Sequence, residues 1–351
     1  VAGTNGKGST VSFIDSIYRQ STYKVGRSTS PHLLKYNERY AIDGEDVSDE
    51  VIINAFELIE TKREDIKLTY FEFSTLAAFI IFEKAEVDIA ILEVGLGGRL
   101  DSVNVVDSDV SIITNIAIDH TDYLGDTREA IGREKAGVMR GSRPCICGDQ
   151  DPPQSLLAYA KEIGTDITFV RKAYEDDIGL EGDHQRLNAA VAIQAVESLK
   201  EQHPISFSMI IEGVKSATIK ARFEKIEIGE KTIILDVAHN PAAVKTLVDT
   251  LSKSSMQTVA IFSALIDKDI IEMVDLASNA IKHWYLVPLT AERAIESDAL
   301  KNKFSNPDST TICKDMNSAI QESLAYKEAE RIVIFGSFYT IADASIIINE
   351  L

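Results

Sequence analysis

The sequence predicts a two-domain α/β protein: a larger N-terminal domain built on a mainly parallel sheet, and a smaller C-terminal doubly wound domain. Three observations predict it. Helical and strand patterns alternate along all 351 residues, as they do when helices cover a parallel sheet. Apolar runs such as 88–94 are continuous rather than alternating and end in Gly-rich sequence, the mark of a strand buried on both faces. The alternation also restarts after residues 217–222, which divides the chain into domains of 1–218 and 219–351.

The elements follow in order. Residues 9–20 read as a helix and 24–28 as a strand; 49–62 and 72–84 have helical spacing. Strands are expected at 88–94 and 110–115, a helix at 127–139, a strand at 144–147 and a helix at 153–163. Residues 184–202 form a long helix with an Ala-rich face. The second series runs through a strand at 231–237, a helix at 241–251, strands at 258–263, 284–288 and 331–335, and a helix at 315–325. No internal repeat, low-complexity tract or long linker interrupts it. The numbering opens two residues before a Gly-rich turn, so a first strand is expected to precede Val1 in the natural protein.

Composition narrows the function. The apolar fraction is 45% and the charged fraction 26%, ordinary for a globular chain. No apolar run approaches the ~18 residues of a membrane span. The net charge of −19 argues against nucleic-acid or anionic-membrane partners. It also means that an anionic substrate needs local cations, helix N-termini or metal ions. The three cysteines, Cys145, Cys147 and Cys313, make neither a disulfide framework nor a zinc site, and a reducing cytoplasm is expected.

The strongest local signal is Gly3-Thr4-Asn5-Gly6-Lys7-Gly8-Ser9. Glycines let backbone N–H groups converge on an anion, and a helix beginning near Ser9 adds its N-terminal dipole. Lys7 can reach terminal phosphates, and a hydroxyl of Ser9 or Thr10 can face a metal ion. The spacing differs from the usual phosphate loop, because Val1 stands five residues before Gly6 and Gly8 separates Lys7 from Ser9. A Gly-rich turn with a solvated lysine is the plain alternative. Ligands of open α/β sheets sit beyond strand C-termini. There the sequence places Ser30 in Ser30-Pro31-His32, Glu93 before Val94-Gly95-Leu96-Gly97-Gly98-Arg99-Leu100-Asp101, and Asp119-His120. Oxygen ligands such as Glu93 and Ser30, with His120, suit Mg²⁺. Each has an everyday alternative: a salt-bridged carboxylate, a turn hydroxyl, a structural histidine. From the residues alone Lys135 is simply a charged helix residue.

Together these segments resemble the Mur ligase superfamily, and within it the branch of dihydrofolate synthase and folylpolyglutamate synthase. The resemblance rests on the Gly3–Ser9 loop, Ser30-Pro31-His32-Leu33, the 92–101 string, Asp119-His120-Thr121, Gly132-Arg133-Glu134-Lys135-Ala136-Gly137, and Asp236-Val237-Ala238-His239-Asn240-Pro241. It implies a Mur-ligase-like fold, with a phosphate-loop ATPase domain and a smaller Rossmann-like C-terminal domain. It implies an acid–amino-acid ligase, bifunctional in its bacterial form, that joins L-glutamate to dihydropteroate or folyl-polyglutamate with ATP and one or two Mg²⁺. Thr4, Asn5, Gly6, Lys7, Gly8 and Ser9 would hold ATP with Asn188, Arg222 and Asp236. Ser30, Glu93, His120 and a carbamylated Lys135 would bind metal. Lys7, Lys135 and His120 would be catalytic, and Tyr70, Phe71, Leu100, Asp101 and Ser102 would line the pterin site. A cytoplasmic monomer is expected. The chain departs from the branch at Lys220-Ala221, where Pro-Gly is frequent, and at Val237, where Gly is frequent.

Amide formation from a carboxylate is uphill in water, so the expected route has two steps: the acid attacks the γ-phosphate, then the glutamate amine attacks the acyl phosphate. No general base for the amine stands out beyond His239. Two rivals remain at this stage. One is a Mur-type ligase of another acceptor, against which the 96–101 string argues. The other is a phosphate-loop nucleotide switch, which lacks an Asn-Lys-x-Asp guanine motif here.

Overall fold

The computed structural model describes residues 1–350. The chain divides into two compact units: residues 1–180 with 184–218, and residues 181–183 with 219 onward.

Unit 1 begins with the Gly-rich turn and α1 (Lys7–Tyr18). The helix starts at Lys7, two residues before the sequence expectation, because Gly6 takes φ 83° and turns the chain directly into it. α1 is buried almost all round, from Ser9 to Tyr18. It is followed by β1 (Val25–Ser28), β2 (Tyr40–Ile42), β3 (Glu45–Asp46), α2 (Asp49–Arg63), α3 (Tyr70–Ala85) and β4 (Ile89–Leu92). Ser48 caps α2 and Thr69 caps α3, the latter in a reciprocal box with Glu72. These strands form a sheet of order β3-β2-β1-β4, in which β1 pairs parallel with β4 and antiparallel with β2. Ile52, Ala55, Ile59, Ala77, Ala78, Ile81 and Phe82 bury α2 and α3 in one cluster with Tyr40.

A second, all-parallel sheet β5-β6-β7 comes from β5 (Ser111–Ile113), β6 (Pro144–Cys147) and β7 (Asp166–Phe169). α4 (Thr121–Leu124), α5 (Arg128–Ala136) and α6 (Gln154–Ile163) lie among these strands in sequence. Residues 1 and 2 stand between the two sheets. Val94 N donates to Val1 O (2.9 Å), Ala2 N donates to Ile112 O (2.8 Å), and Thr114 N donates to Ala2 O (3.0 Å). The stem of the Gly-rich turn is thus the seam of the whole unit. α7 (Asp183–Ser198) and α8 (Phe207–Ser216) complete it. Ser12 donates to Thr218 O (2.7 Å), and Ser16 pairs with Ser216 (3.2 Å), tying α1 to the end of α8.

Unit 2 contains β8 (Glu224–Ile228), β9 (Lys231–Leu235), α9 (Pro241–Leu251), β10 (Thr258–Phe262), α10 (Ile270–Ala277), β11 (His283–Leu286), α11 (Ser297–Lys301), β12 (Thr310–Ile312), α12 (Met316–Ala325), β13 (Arg331–Phe335) and α13 (Phe338–Ile348). Its sheet runs β12-β11-β10-β13-β9-β8, parallel except for the edge strand β8. Phe262, Trp284 and Phe335 meet at ring distances of 4.9–5.9 Å in the core. Among the described residues, no helix is long and apolar enough to cross a membrane.

Candidate active site

The Gly-rich turn is packed tightly against its own neighbours. A Cβ on Gly6 would stand 2.7 Å from Asn188 Oδ1, so only glycine lets the turn pack on Asn188 at φ 83°. Asn188 is buried and donates from Nδ2 to Gln185 Oε1 (2.9 Å). Its closest polar neighbours are therefore the turn and Gln185. Thr4 and Asn5 are both bonded to the segment that follows β5. Thr4 N donates to Asn115 O (2.9 Å), and the Thr4 hydroxyl exchanges hydrogen bonds with Ala117 (3.0 and 3.1 Å). Asn5 N donates to Asn115 Oδ1 (2.9 Å). These groups tie the turn to the segment after β5. The amides that open the helix, at Lys7, Gly8 and Ser9, are those without an intrahelical partner by position.

Two amines converge on one carbonyl of the turn. Lys7 Nζ donates to Gly3 O (3.1 Å) and Thr4 O (3.3 Å). Lys135 Nζ donates to the same Gly3 O at 2.9 Å. Lys135 is only 4% exposed, which corrects its reading as an ordinary charged helix residue. Burial first, and then the charge of Lys7, pull its pKa from 10.5 to about 7, with Asp119 and Asp101 opposing. The hydroxyls of Ser9 and Thr10 are buried and have no hydrogen-bond partner. A buried polar atom left without a partner is costly and is a natural place for an incoming ligand oxygen or cation.

The string at 96–101 explains how Lys135 is held. A Cβ on Gly98 would lie 2.9 Å from Glu134 O and 3.0 Å from Lys135 O. Glycine there lets the loop touch the backbone of α5. Arg99 fastens the contact with N–H to Glu134 O (2.8 Å) and a guanidinium pair to the Glu134 carboxylate (2.9 Å). Asp101 is a loop pin, accepting from Leu96 N and Val103 N (both 2.9 Å). Ser102 shares a hydrogen bond with Thr75 (2.6 Å) on α3. Leu100 and Tyr70 are exposed, and Phe71 packs on Gly95.

Glu93 is buried just beyond β4 and accepts from Ser30 N (3.1 Å). This brings two of the expected metal ligands together. His120 begins α4 in the left-handed region, at φ 54°, with Asp119 Oδ1 on its amide (2.8 Å). Among the described residues no group of three His, Cys, Asp or Glu side chains is poised around a common point.

In unit 2, Asp236 accepts from Phe223 N and Ala238 N (both 2.8 Å). Arg222 lies over the Phe338 ring, 5.5 Å away. Ala221 and Phe223 flank it at φ 56° and 53°, a region that glycine favours, which explains why Gly suits position 221. His239 Nδ1 sits 2.8 Å from Val237 O. A carbonyl only accepts, so Nδ1 carries a proton. Sequence reasoning missed Ser263. Its hydroxyl is buried without a partner at the C-terminal end of β10, beside β13, where the strand order reverses and ligands of such sheets bind. Nothing in the local sequence around this lone serine marks it; only the topology does.

The family models fit both units: Mur ligase middle domain over residues 1–147 and Mur ligase, glutamate ligase domain over residues 221–338. The dihydrofolate synthase/folylpolyglutamate synthase of Escherichia coli (strain K12) is 35% identical, over 99% of this chain and 86% of its own length. The chain belongs to the dihydrofolate synthase/folylpolyglutamate synthase family. Family membership makes it an ATP-dependent ligase that adds glutamate to folates, with the two-domain α/β fold the sequence predicted. Among solved structures, E. coli FolC in complex with DHPP and ADP matches with a TM-score of 0.93 and 34% identity, covering 99% of this chain and 87% of that one. A bifunctional folylpolyglutamate synthase/dihydrofolate synthase with Mn, AMPPNP and L-glutamate bound matches at 0.92 and 37%, covering 99% and 88%.

Proposed function

We propose that this chain carries out both glutamate additions, to dihydropteroate and to reduced folyl-polyglutamate, through an acyl phosphate formed at the Gly-rich turn. The observation that carries the reading is the meeting of Lys7 and Lys135 on Gly3 O at a helix N-terminus. In a chain of net charge −19, this is a concentrated positive pole, suited to a triphosphate that must meet a second anion. Relatives that bind ADP, AMPPNP and Mn support it.

The acid carboxylate attacks the γ-phosphorus and ADP leaves. Lys7 and the amides of Lys7, Gly8 and Ser9 offset the charge that gathers on the phosphate oxygens. The glutamate amine then attacks the acyl carbon, phosphate leaves, and the amine gives up a proton. The Nε2 lone pair of His239 is assigned to that proton. The residues fit a divalent cation: a buried carboxylate at Glu93, Ser30 beside it, His120, and the orphaned hydroxyls of Ser9 and Thr10. Magnesium, when bound there, supplies charge neutralisation between phosphate oxygens. Lys135, buried and able to shed its proton near neutrality, suits carbamylation, in which its nitrogen bonds CO₂ and releases a proton. The product is a carboxylate that would hold a second cation. Asn188, Arg222 and Asp236 are assigned to the nucleotide, and Tyr70, Phe71 and Leu100 to the pterin. The glutamate is assigned to Ser263, a choice supported by the family description of residues 221–338. The protein is taken to work as a cytoplasmic monomer.

The test is a panel of dihydropteroate and reduced folates scored by product mass. Both acids should gain glutamate, and Lys7→Ala should abolish glutamate-dependent ADP release with an unchanged circular dichroism spectrum. Turnover by Lys7→Ala at the wild-type rate would remove Lys7 from the mechanism.

A further inference from the structure

Between β1 and β2 the chain makes a loop, residues 30–35, whose shape is set by two consecutive residues. Glu38 lies in a short 3₁₀ turn, Tyr36–Arg39. Its carboxylate accepts from three successive amides: Leu33 (2.6 Å), Leu34 (3.1 Å) and Lys35 (3.1 Å). Glu93 accepts from Ser30 N at the loop's other end. Arg39 is buried, and its Nε donates to His32 Nδ1 at 2.9 Å. A guanidinium has donors and no acceptor. The Nδ1 atom must therefore offer its lone pair, and the ring's single proton sits on Nε2. Among the described residues Nε2 has no hydrogen-bond partner in the structure, and the ring is half-buried.

His32 also has a defined neighbourhood. Its ring lies 5.6 Å from Tyr36, and Tyr36 lies 6.2 Å from Tyr70. The Arg39 guanidinium stands 5.3 Å from the Tyr36 and Tyr70 ring centres alike. His32 is thus two residues from Ser30 and borders the aromatic group that contains Tyr70. Resting on the functional reading above, an acid substrate spans this interval, from its aromatic ring at Tyr70 to its carboxylate near Ser30.

We propose that His32 is a substrate-contacting residue. Its Nε2–H, fixed in that tautomer by Arg39 on a loop clamped by Glu38, donates to an anionic or carbonyl oxygen of the acid substrate. Arg39 and Glu38 are positioning residues. The lock serves specificity: an imidazole free to exchange tautomers would offer a lone pair to the same oxygen whenever the proton moved to Nδ1. Arg39 denies it that option.

Three measurements test this on the full-length chain. In ¹⁵N-histidine-labelled protein, the nitrogen shifts of His32, assigned by loss of its signals in His32→Ala, should report the Nε2–H form. Arg39→Met should give a mixture of tautomers. His32→Ala should raise KM for the pteroyl acid by roughly tenfold, the usual scale of a hydrogen bond to a charged group, and leave KM for ATP within about twofold. His32→Gln, which restores an N–H donor of similar reach, should recover most of the loss; a purely structural role would show no such rescue. A wild-type ring protonated on Nδ1 would overturn the proposal, as would an unchanged acid KM in a folded His32→Ala protein. Failure of the functional reading looks different: the wild-type chain itself would then form no glutamylated product.

Discussion

Lys135→Met should give a more stable protein, and an inactive one if Lys135 plays the part proposed for it. Methionine keeps an unbranched chain in the buried position and removes the amine. Burial and Lys7 hold the Lys135 pKa down at about 7, from 10.5. The unfolded chain binds a proton on this amine below about 10.5, the folded chain only below about 7. Within that window unfolding takes up a proton, so stability rises with pH and is lost as pH falls from 10.5 toward 7. The gap is worth ~5 kcal/mol at 1.36 kcal/mol per pH unit. The hydrogen bond to Gly3 O offsets about 1 kcal/mol of it. Lys135→Met should therefore exceed the wild type by about 4 kcal/mol at pH 7, with the advantage vanishing near pH 10. Urea denaturation followed by far-ultraviolet circular dichroism, in nucleotide-free and CO₂-free buffer, measures it across pH 7–10. A wild-type midpoint that does not rise over this range, or a variant less stable at pH 7, would refute the reasoning.

Ser9→Ala removes a buried hydroxyl that has no partner. The ligand-free protein should gain up to ~1 kcal/mol in the same denaturation assay, while calorimetry with Mg²⁺ and a non-hydrolysable nucleotide shows weaker binding. Gly6→Ala forces an L-residue to φ 83° at a cost of about 1–2 kcal/mol, and drives Cβ onto Asn188. Adding Asn188→Ala should recover the steric part only, leaving nucleotide affinity below that of Asn188→Ala alone. Burial pushes the thiols of Cys145 and Cys147 up to about 12 and about 11. Both should resist iodoacetamide at pH 8 in the folded protein and be alkylated in urea, as read by mass spectrometry. Rapid labelling of the native chain would contradict their burial.

What the sequence revealed follows from what local chemistry can encode. The Gly-rich turn and the strands at 88–94 and 258–263 were legible because glycine spacing and uninterrupted apolar runs have few other uses. The strand Glu224–Ile228 escaped notice because it is an edge strand whose apolar positions, Ile226 and Ile228, alternate with Lys225 and Glu227. The helix Phe207–Ser216 was missed too, although its amphipathic face docks on α1. Lys135 is the clearest case. Its neighbours Arg133 and Glu134 face solvent and pair outward, and nothing in the helix sequence distinguishes the one charge that points inward. The close approach that Gly98 permits makes the difference, and it comes from a segment more than thirty residues away. Asp101 and Ser102 show a different limit: the sequence does not reveal that Asp101 pins its own loop through Leu96 N, or that Ser102 bonds to Thr75 of α3, because both partners are set by the fold.

The seam formed by residues 1 and 2 couples the Gly-rich turn to both sheets of unit 1. A ligand that fills the Gly-rich turn is expected to stiffen the two residues that join β4 to β5, and so to damp the breathing of one half-sheet against the other. Amide hydrogen exchange should register this as a shared slowing. The protons on Val94 and Thr114, which bond to the seam from opposite sides, should become harder to exchange together when the phosphate cradle is loaded, although neither needs to touch the ligand.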